Sequence, residues 1–222
     1  APDPMTVLLA STSPRRKQLL ALLQIPFEVA EPKFGESFRA GPTAEELVRT
    51  IAVGKARSCT DRFPDGLVLG SDTLIALDAE SLGKPQDLAE AGSMLRRLRG
   101  RDHTVHSAVA LCRQRDSIQD VCVESVRVWM HDLSDPEVEA YLRTGEWVGK
   151  AGAYSIQGAG GRLIARIDGD YTAAVGLPLR LTATLLAARG VRLPIDVAAL
   201  YRIKPYSNWG LFADDPMPTR AG

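Results

Sequence analysis

The chain begins with a short apolar run, a polar turn and an amphipathic pattern. Residues 7–10 form the run, residues 11–14 form the turn, and leucines then recur on one broad face at Leu19, Leu20, Leu22 and Leu23. This pattern predicts a strand, a turn and a helix. Ser13 can cap the helix, and Pro14 suits its first position because proline lacks the N–H that would be unsatisfied there.

The first turn of that helix is basic, which is unfavourable at the positive end of a helix dipole. It carries Arg15, Arg16 and Lys17, directly after the hydroxyls of Ser11 and Ser13. Backbone donors at a helix start already favour an anion, so these side chains together could surround a phosphate. The alternative is an ordinary solvated basic surface. The stretch alone leaves both interpretations open.

A second apolar run, at residues 67–77, predicts a buried strand with Asp72 inside it. An ionised carboxylate there is costly unless it meets a cation, a metal or several donors. We therefore favour metal binding or base catalysis, although Asp72 could instead accept backbone hydrogen bonds at a bulge beside Gly70. A predicted hairpin would bring Lys84 back near Asp72 if its two strands pair. A carboxylate among lysines and arginines is typical of phosphate chemistry.

Two further candidates lie between these runs. The loop at 32–42 contains Glu36, which could ligate a metal, although a lone loop glutamate is more often solvated. Thr43 and Glu46 form a capping box for a helix that is expected to end near Lys55. Lys55 shares the apolar face of that helix, so it either snorkels at the core edge or reaches into a cleft.

The rest of the pattern is mainly scaffold. It predicts a helix after Asp87, strands at 103–112 and 119–131, a helix after Ser134, a strand at 162–167 and a last helix from Pro178 to residue 190. Residues 149–158 differ, because small residues there surround Tyr154 and Gln157, as in a pocket wall.

Composition limits the function classes. The 222 residues are 45% hydrophobic, and 27 Lys plus Arg balance 27 Asp plus Glu, which argues against nucleic-acid and membrane partners. No apolar run is long enough to span a membrane, so a cytoplasmic protein is expected, with residues 1–4 as a cloning remnant. Cys59, Cys112 and Cys122 are too scattered to indicate a zinc site or disulfides.

Four segments together resemble the Maf family of nucleoside triphosphate pyrophosphatases. They are LASTSPRR at 9–16, GSDTLIALDAESLGKP at 70–85, GKAGAYSIQG at 149–158 and GDYTAAVGLPL at 169–179. The resemblance covers residues 5–190 and implies a Maf/ITPase-like α/β fold, in which a long twisted mixed sheet is flanked by helices and two lobes surround a central cleft. Residues 191–222 have no counterpart and are expected to be partly disordered, or packed on the body or on the partner subunit of a homodimer.

The resemblance also implies roles for individual residues. The triphosphate would be held by Ser11, Ser13, Arg15 and Arg16; metal binding and water activation would fall to Glu36 and Asp72; and the substrate would be contacted by Lys55, Gln157 and Lys84, the last counted as catalytic. The metal is expected to be Mg²⁺, with Mn²⁺ as the alternative. The glutamine side chain can pair with the carbonyl and N–H of uracil or thymine, and its motif resembles the dTTP/UTP branch of the family.

The implied function is hydrolysis of a nucleoside triphosphate, with dTTP and UTP favoured, to the monophosphate and pyrophosphate. Such an enzyme would remove surplus or non-standard nucleotides. The alternative is a nucleotide-binding regulator of cell division or septum formation without significant turnover. Metal-dependent release of pyrophosphate discriminates the two.

Overall fold

The fold is built on one mixed sheet, seen in a computed structural model that describes residues 6–35 and 42–212. The strands are β1 (Val7–Ala10), β2 (Phe27–Ala30), β3 (Leu67–Leu77), β4 (Glu80–Leu82), β5 (Asp102–Arg113), β6 (Ile118–Met130) and β7 (Ile164–Asp168). The helices are α1 (Pro14–Ala21), α2 (Ala44–Thr60), α3 (Leu88–Leu98), α4 (Asp135–Arg143), α5 (Tyr171–Val175), α6 (Leu179–Ala188) and α7 (Val197–Ile203).

The sheet changes from parallel to antiparallel at β3. Its order is β2-β1-β3-β5-β6-β7, with β4 paired to β3. Strand β1 pairs in parallel with β2 and β3, whereas β3, β5, β6 and β7 pair antiparallel. This architecture confirms the predicted α/β class and mixed sheet. Because β1 ends at Ala10 beside Gly70, the polar turn that follows β1 lies next to the middle of β3.

Strand β3 supplies apolar side chains to both faces of the sheet. Val68 and Leu74 pack with helix α2 in one cluster, while Leu69 and Ile75 join the larger cluster on the other face. Side chains alternate along a strand, so Gly70 and Asp72 share the α2 face, and Ser71 and Thr73 face the opposite way. Both sides of β3 therefore present polar groups at the same level of the sheet.

Most predicted helix starts are confirmed. Ser13, Asp87 and Ser134 each accept a hydrogen bond from a backbone N–H three residues on, and Thr43 forms the full capping box with Glu46. The expected end of α2 near Lys55 is wrong, because the helix continues to Thr60. Ala56 and Cys59 extend its buried stripe by another turn, so packing prolongs the helix.

The described part of the C-terminal extension packs on the body. Helix α7 begins at the cap of Asp196, and the fully buried Trp209 stacks on Tyr171 and meets Tyr201 edge-on. Residues 213–222 lie outside the described part. No helix among the described residues is long and apolar enough to cross a membrane.

Candidate functional site

A cleft of about 370 Å³ opens beside the turn that follows β1, a size typical of small-molecule sites. It is lined by every predicted site residue that the structure describes: Ser11, Ser13, Arg15, Arg16, Lys55, Asp72, Lys84 and Gln157. Lys150 adds a further cation that sequence reasoning missed. Of the described lining residues only Asp72 is acidic, so the cleft suits a polyanion.

The turn after β1 is held in shape by its own hydroxyls. The Ser11 hydroxyl accepts from the backbone N–H of Ser13 at 3.1 Å, and the Ser13 hydroxyl accepts from that of Arg16 at 3.4 Å. Burial lowers the pKa of the Arg15 guanidinium, an effect that nearby Tyr206 opposes. Because burial disfavours this charge, an anion bound in the cleft would stabilise it.

The Arg16 side chain joins helix α1 to strand β3 and to the residue that follows α5. Its Nε donates to the carbonyl of Gly176 at 2.9 Å, and its Nη2 donates to the hydroxyl of Thr73 at 3.1 Å. Thr73 shares a hydrogen bond of 2.8 Å with Ser107, which donates to the carbonyl of Ala173. The guanidinium is thus oriented by β3 and by the end of α5, contacts that no local pattern indicated.

Lys55 and Asp72 form a buried ion pair. Lys55 Nζ lies 3.0 Å from Asp72 Oδ1, and the residues are 9% and 5% exposed. Of the two alternatives for Lys55, the structure therefore favours reaching into the cleft. The close approach of α2 depends on Gly70, where a Cβ would lie 2.3 Å from the carbonyl oxygen of Ala52.

The loop at 154–158 supplies another part of the cleft lining. Tyr154, Ser155 and Ile156 are buried, and Gln157 is half-buried at the cleft. No hydrogen bond of the Gln157 side chain is found within the described ranges.

Glu146 braces this loop and was missed by sequence reasoning. Its carboxylate accepts from the backbone N–H groups of Ala159 and Gly160, each at 2.9 Å, and from the Tyr141 hydroxyl. Nothing in the stretch Gly145 to Trp147 signals this role, because the two backbone partners, Ala159 and Gly160, follow Glu146 by more than ten residues in the chain. Lys150, which lines the same cleft, has its pKa lowered mainly by burial and further by repulsion from Arg15.

The described part of the cleft offers few side chains that could ligate a metal ion, so water and substrate would have to supply most of its ligands. Glu36 lies outside the described residues. Within 6–35 and 42–212, no group of three or more His, Cys, Asp or Glu side chains could hold an ion. One hard carboxylate, Asp72, in a cleft that the hydroxyls of Ser11 and Ser13 also line, fits Mg²⁺, which commonly binds one or two carboxylates and completes its shell with water and substrate phosphates.

His103 is hydrogen-bonded to Tyr154, one of the residues that line the cleft. His103 Nε2 lies 2.7 Å from the Tyr154 hydroxyl, and Nδ1 is buried with no hydrogen-bond partner among the described residues. Burial lowers the pKa of His103 from 6.5 to about 4. The folded protein therefore holds this ring neutral at physiological pH.

Acid should destabilise the fold through His103. The unfolded chain takes up this proton below its ordinary pKa, whereas the folded ring resists it, so stability present above pH 6.5 is lost as the pH falls toward 4. The free energy of unfolding should drop by about 2 kcal/mol between about pH 7 and pH 5 on this account. Urea unfolding at both pH values checks this: His103→Gln should lose most of that dependence and exposed His131→Gln should keep it. An equal slope in the wild type and His103→Gln would contradict the assignment.

Comparison with known proteins shows which proteins this chain resembles. The family model described as Maf-like protein matches residues 6–189. A dTTP/UTP pyrophosphatase of Symbiobacterium thermophilum is 46% identical, over 83% of this chain and 94% of that protein. One of Myxococcus xanthus is 44% identical, over 86% and 96%. The Staphylococcus aureus Ham1 structure matches with a TM-score of 0.42 and 17% identity, over 57% of this chain and 72% of that one.

Proposed function

The chain belongs to the Maf-like protein family, and on that premise we propose that it hydrolyses a nucleoside triphosphate to the monophosphate and pyrophosphate. The observation that carries the proposal is the cationic cleft with a single described carboxylate, Asp72, buried beside Lys55. Such a cleft binds a triphosphate by charge and places one proton acceptor among the phosphate-binding groups.

The residues divide between binding and proton transfer. Arg15 and the hydroxyls of Ser11 and Ser13 would hold the phosphate chain, with Arg16 fixed beside them. Water attacks the α-phosphorus, the bond from that phosphorus to the bridging oxygen breaks, and pyrophosphate leaves. Asp72 accepts the proton of the attacking water. Lys55 Nζ, 3.0 Å from Asp72 Oδ1, holds the carboxylate in place.

A divalent cation, Mg²⁺ in our proposal and Mn²⁺ as the alternative, would be held by Asp72 and by Glu36. When bound, it neutralises charge that develops on the phosphate oxygens. Lys84 and Lys150 would supply further positive charge at the leaving pyrophosphate.

The base is proposed to be uracil or thymine. The relatives named above are called dTTP/UTP pyrophosphatases. In this chain, Gln157 lines the same cleft and offers a donor and an acceptor that match the N–H and carbonyl of a uracil edge. A base with neither group would leave the half-buried amide unpaired, and such mismatches are discriminated. Cytosine presents the same two groups exchanged, so it is rejected when the Gln157 amide is held in one orientation.

One substrate panel tests the proposal. Pyrophosphate release is measured from dTTP, UTP, CTP, GTP and 7-methyl-GTP, with Mg²⁺, with Mn²⁺ and with a chelator. We expect dTTP and UTP to exceed CTP in kcat/KM by about a hundredfold, with activity lost in chelator. A purine triphosphate as the best substrate would overturn the base assignment. Tight nucleotide binding without pyrophosphate release would favour the alternative of a division-related regulator.

A further inference from the structure

The C-terminal segment at 206–209 packs against the loop that carries Gln157 and donates hydrogen bonds to its backbone. The Ser207 hydroxyl donates to the carbonyl of Gln157 at 2.8 Å. The Asn208 amide donates to the carbonyls of Ile156 at 3.0 Å and Gly158 at 2.8 Å. Three consecutive carbonyls of the loop thus take their hydrogen bonds from two neighbouring side chains.

The same segment is fixed to the body at its other side. Trp209 is fully buried against Tyr171, whose hydroxyl donates to the carbonyl of Ser207 at 2.5 Å. The Tyr206 hydroxyl donates to Gln18 Oε1 at 2.8 Å, on the helix that carries Arg15 and Arg16. The segment therefore connects helix α1 to the loop that carries Gln157.

Local geometry directs the Asn208 amide at the loop. Its backbone is left-handed, with φ of 64°, a conformation that asparagine tolerates better than most residues. A Cβ at Gly161 would lie 2.6 Å from Asn208 Nδ2, so glycine there leaves room for the amide. These residues follow the part matched by the family model, which ends at residue 189.

We propose that Ser207 and Asn208 are positioning residues for base selection, holding the backbone of Gln157 so that its side chain meets the base in one orientation. The inference rests on the proposed function. Neither residue lines the cleft among the described positions, so each acts through the loop and not on the substrate.

Asn208→Gly is the test, because glycine keeps the left-handed backbone and removes both amide hydrogen bonds. We expect the ratio of kcat/KM for UTP over CTP to fall about tenfold, mainly through KM for UTP. The inhibition constant of inorganic tripolyphosphate, which has no base, should stay unchanged. Hydrogen exchange of the backbone amides at 158–161 should quicken. The control is Arg202→Ala, whose ion pair joins α7 to its own cap residue Asp196, and it should behave as wild type.

The outcomes separate the two proposals. Wild-type protein that releases no pyrophosphate from any triphosphate would defeat the proposed function, while the exchange comparison would still decide whether Asn208 holds the loop. An active wild type with an unchanged UTP/CTP ratio in Asn208→Gly would overturn the positioning role. An equal loss of tripolyphosphate binding would also overturn it, because the effect would then be general and not confined to the base.

Discussion

Asp72→Asn is expected to lower kcat for pyrophosphate release by about a hundredfold or more, because it removes the one described carboxylate at the cleft. Asparagine keeps the size of the side chain, and its amide oxygen can still accept from Lys55 Nζ. The substitution therefore removes charge and proton affinity while preserving the contact. Steady-state kinetics with dTTP and Mg²⁺ measure the loss.

A matched variant separates chemistry from general charge effects. Asp78 lies six residues further on, in the turn after β3, exposed and paired with Arg101 at 2.6 Å. Asp78→Asn removes the same charge outside the cleft, and it should retain wild-type kcat. Both proteins are compared by urea unfolding, so that a folding defect is recognised. Folded Asp72→Asn with wild-type turnover would disprove the catalytic assignment.

Sequence reasoning succeeded where the physics is local. Ser13, Thr43 and Ser134 cap helices with hydrogen bonds that close within three residues, so the adjacent sequence contains both partners. The run at 67–77 was recognisable because an unbroken apolar stretch has few folded environments other than a buried strand. Asp72 was conspicuous for the same reason.

The contact between Lys55 and Asp72 depends on how a helix and a strand pack together, and the sequence pattern of each element does not show this. Helix periodicity placed Lys55 on the apolar face of α2, and strand alternation placed Asp72 on one face of β3, but neither pattern says that these faces meet. The contact depends on packing between elements that are distant along the chain.

The supports of the cleft are long-range and so had no local signal. Glu146 accepts from Ala159 and Gly160, Arg16 reaches Gly176, and Asn208 reaches Ile156. Each joins residues whose separation in the chain is set by the fold and not by a motif. The aromatics of residues 191–212 left packing on the body or on a partner subunit open, and only the tertiary structure shows Trp209 buried against the body.

Gly70→Ala is expected to lower the free energy of unfolding by about 3 kcal/mol, because the added methyl overpacks a contact made by backbone. Its Cβ would lie 2.3 Å from the Ala52 carbonyl oxygen and 2.7 Å from the Ala56 nitrogen, neither of which can rotate away. Helix α2 must therefore shift from β3. Since Lys55 lies on that helix, the shift should lengthen its contact with Asp72 and lower kcat as well.

Gly210→Ala is the matched control for this substitution, since a Cβ there has no described atom within 4 Å and its φ is not positive. It should leave both the urea midpoint and kcat near wild type. Gly70 likewise has no positive φ, so its cost is steric and not conformational. If Gly70→Ala were as stable and as active as Gly210→Ala, helix α2 could not lie as close to β3 as described. The Lys55–Asp72 pair would then need another explanation, because the same close approach brings the ammonium within 3.0 Å of the carboxylate.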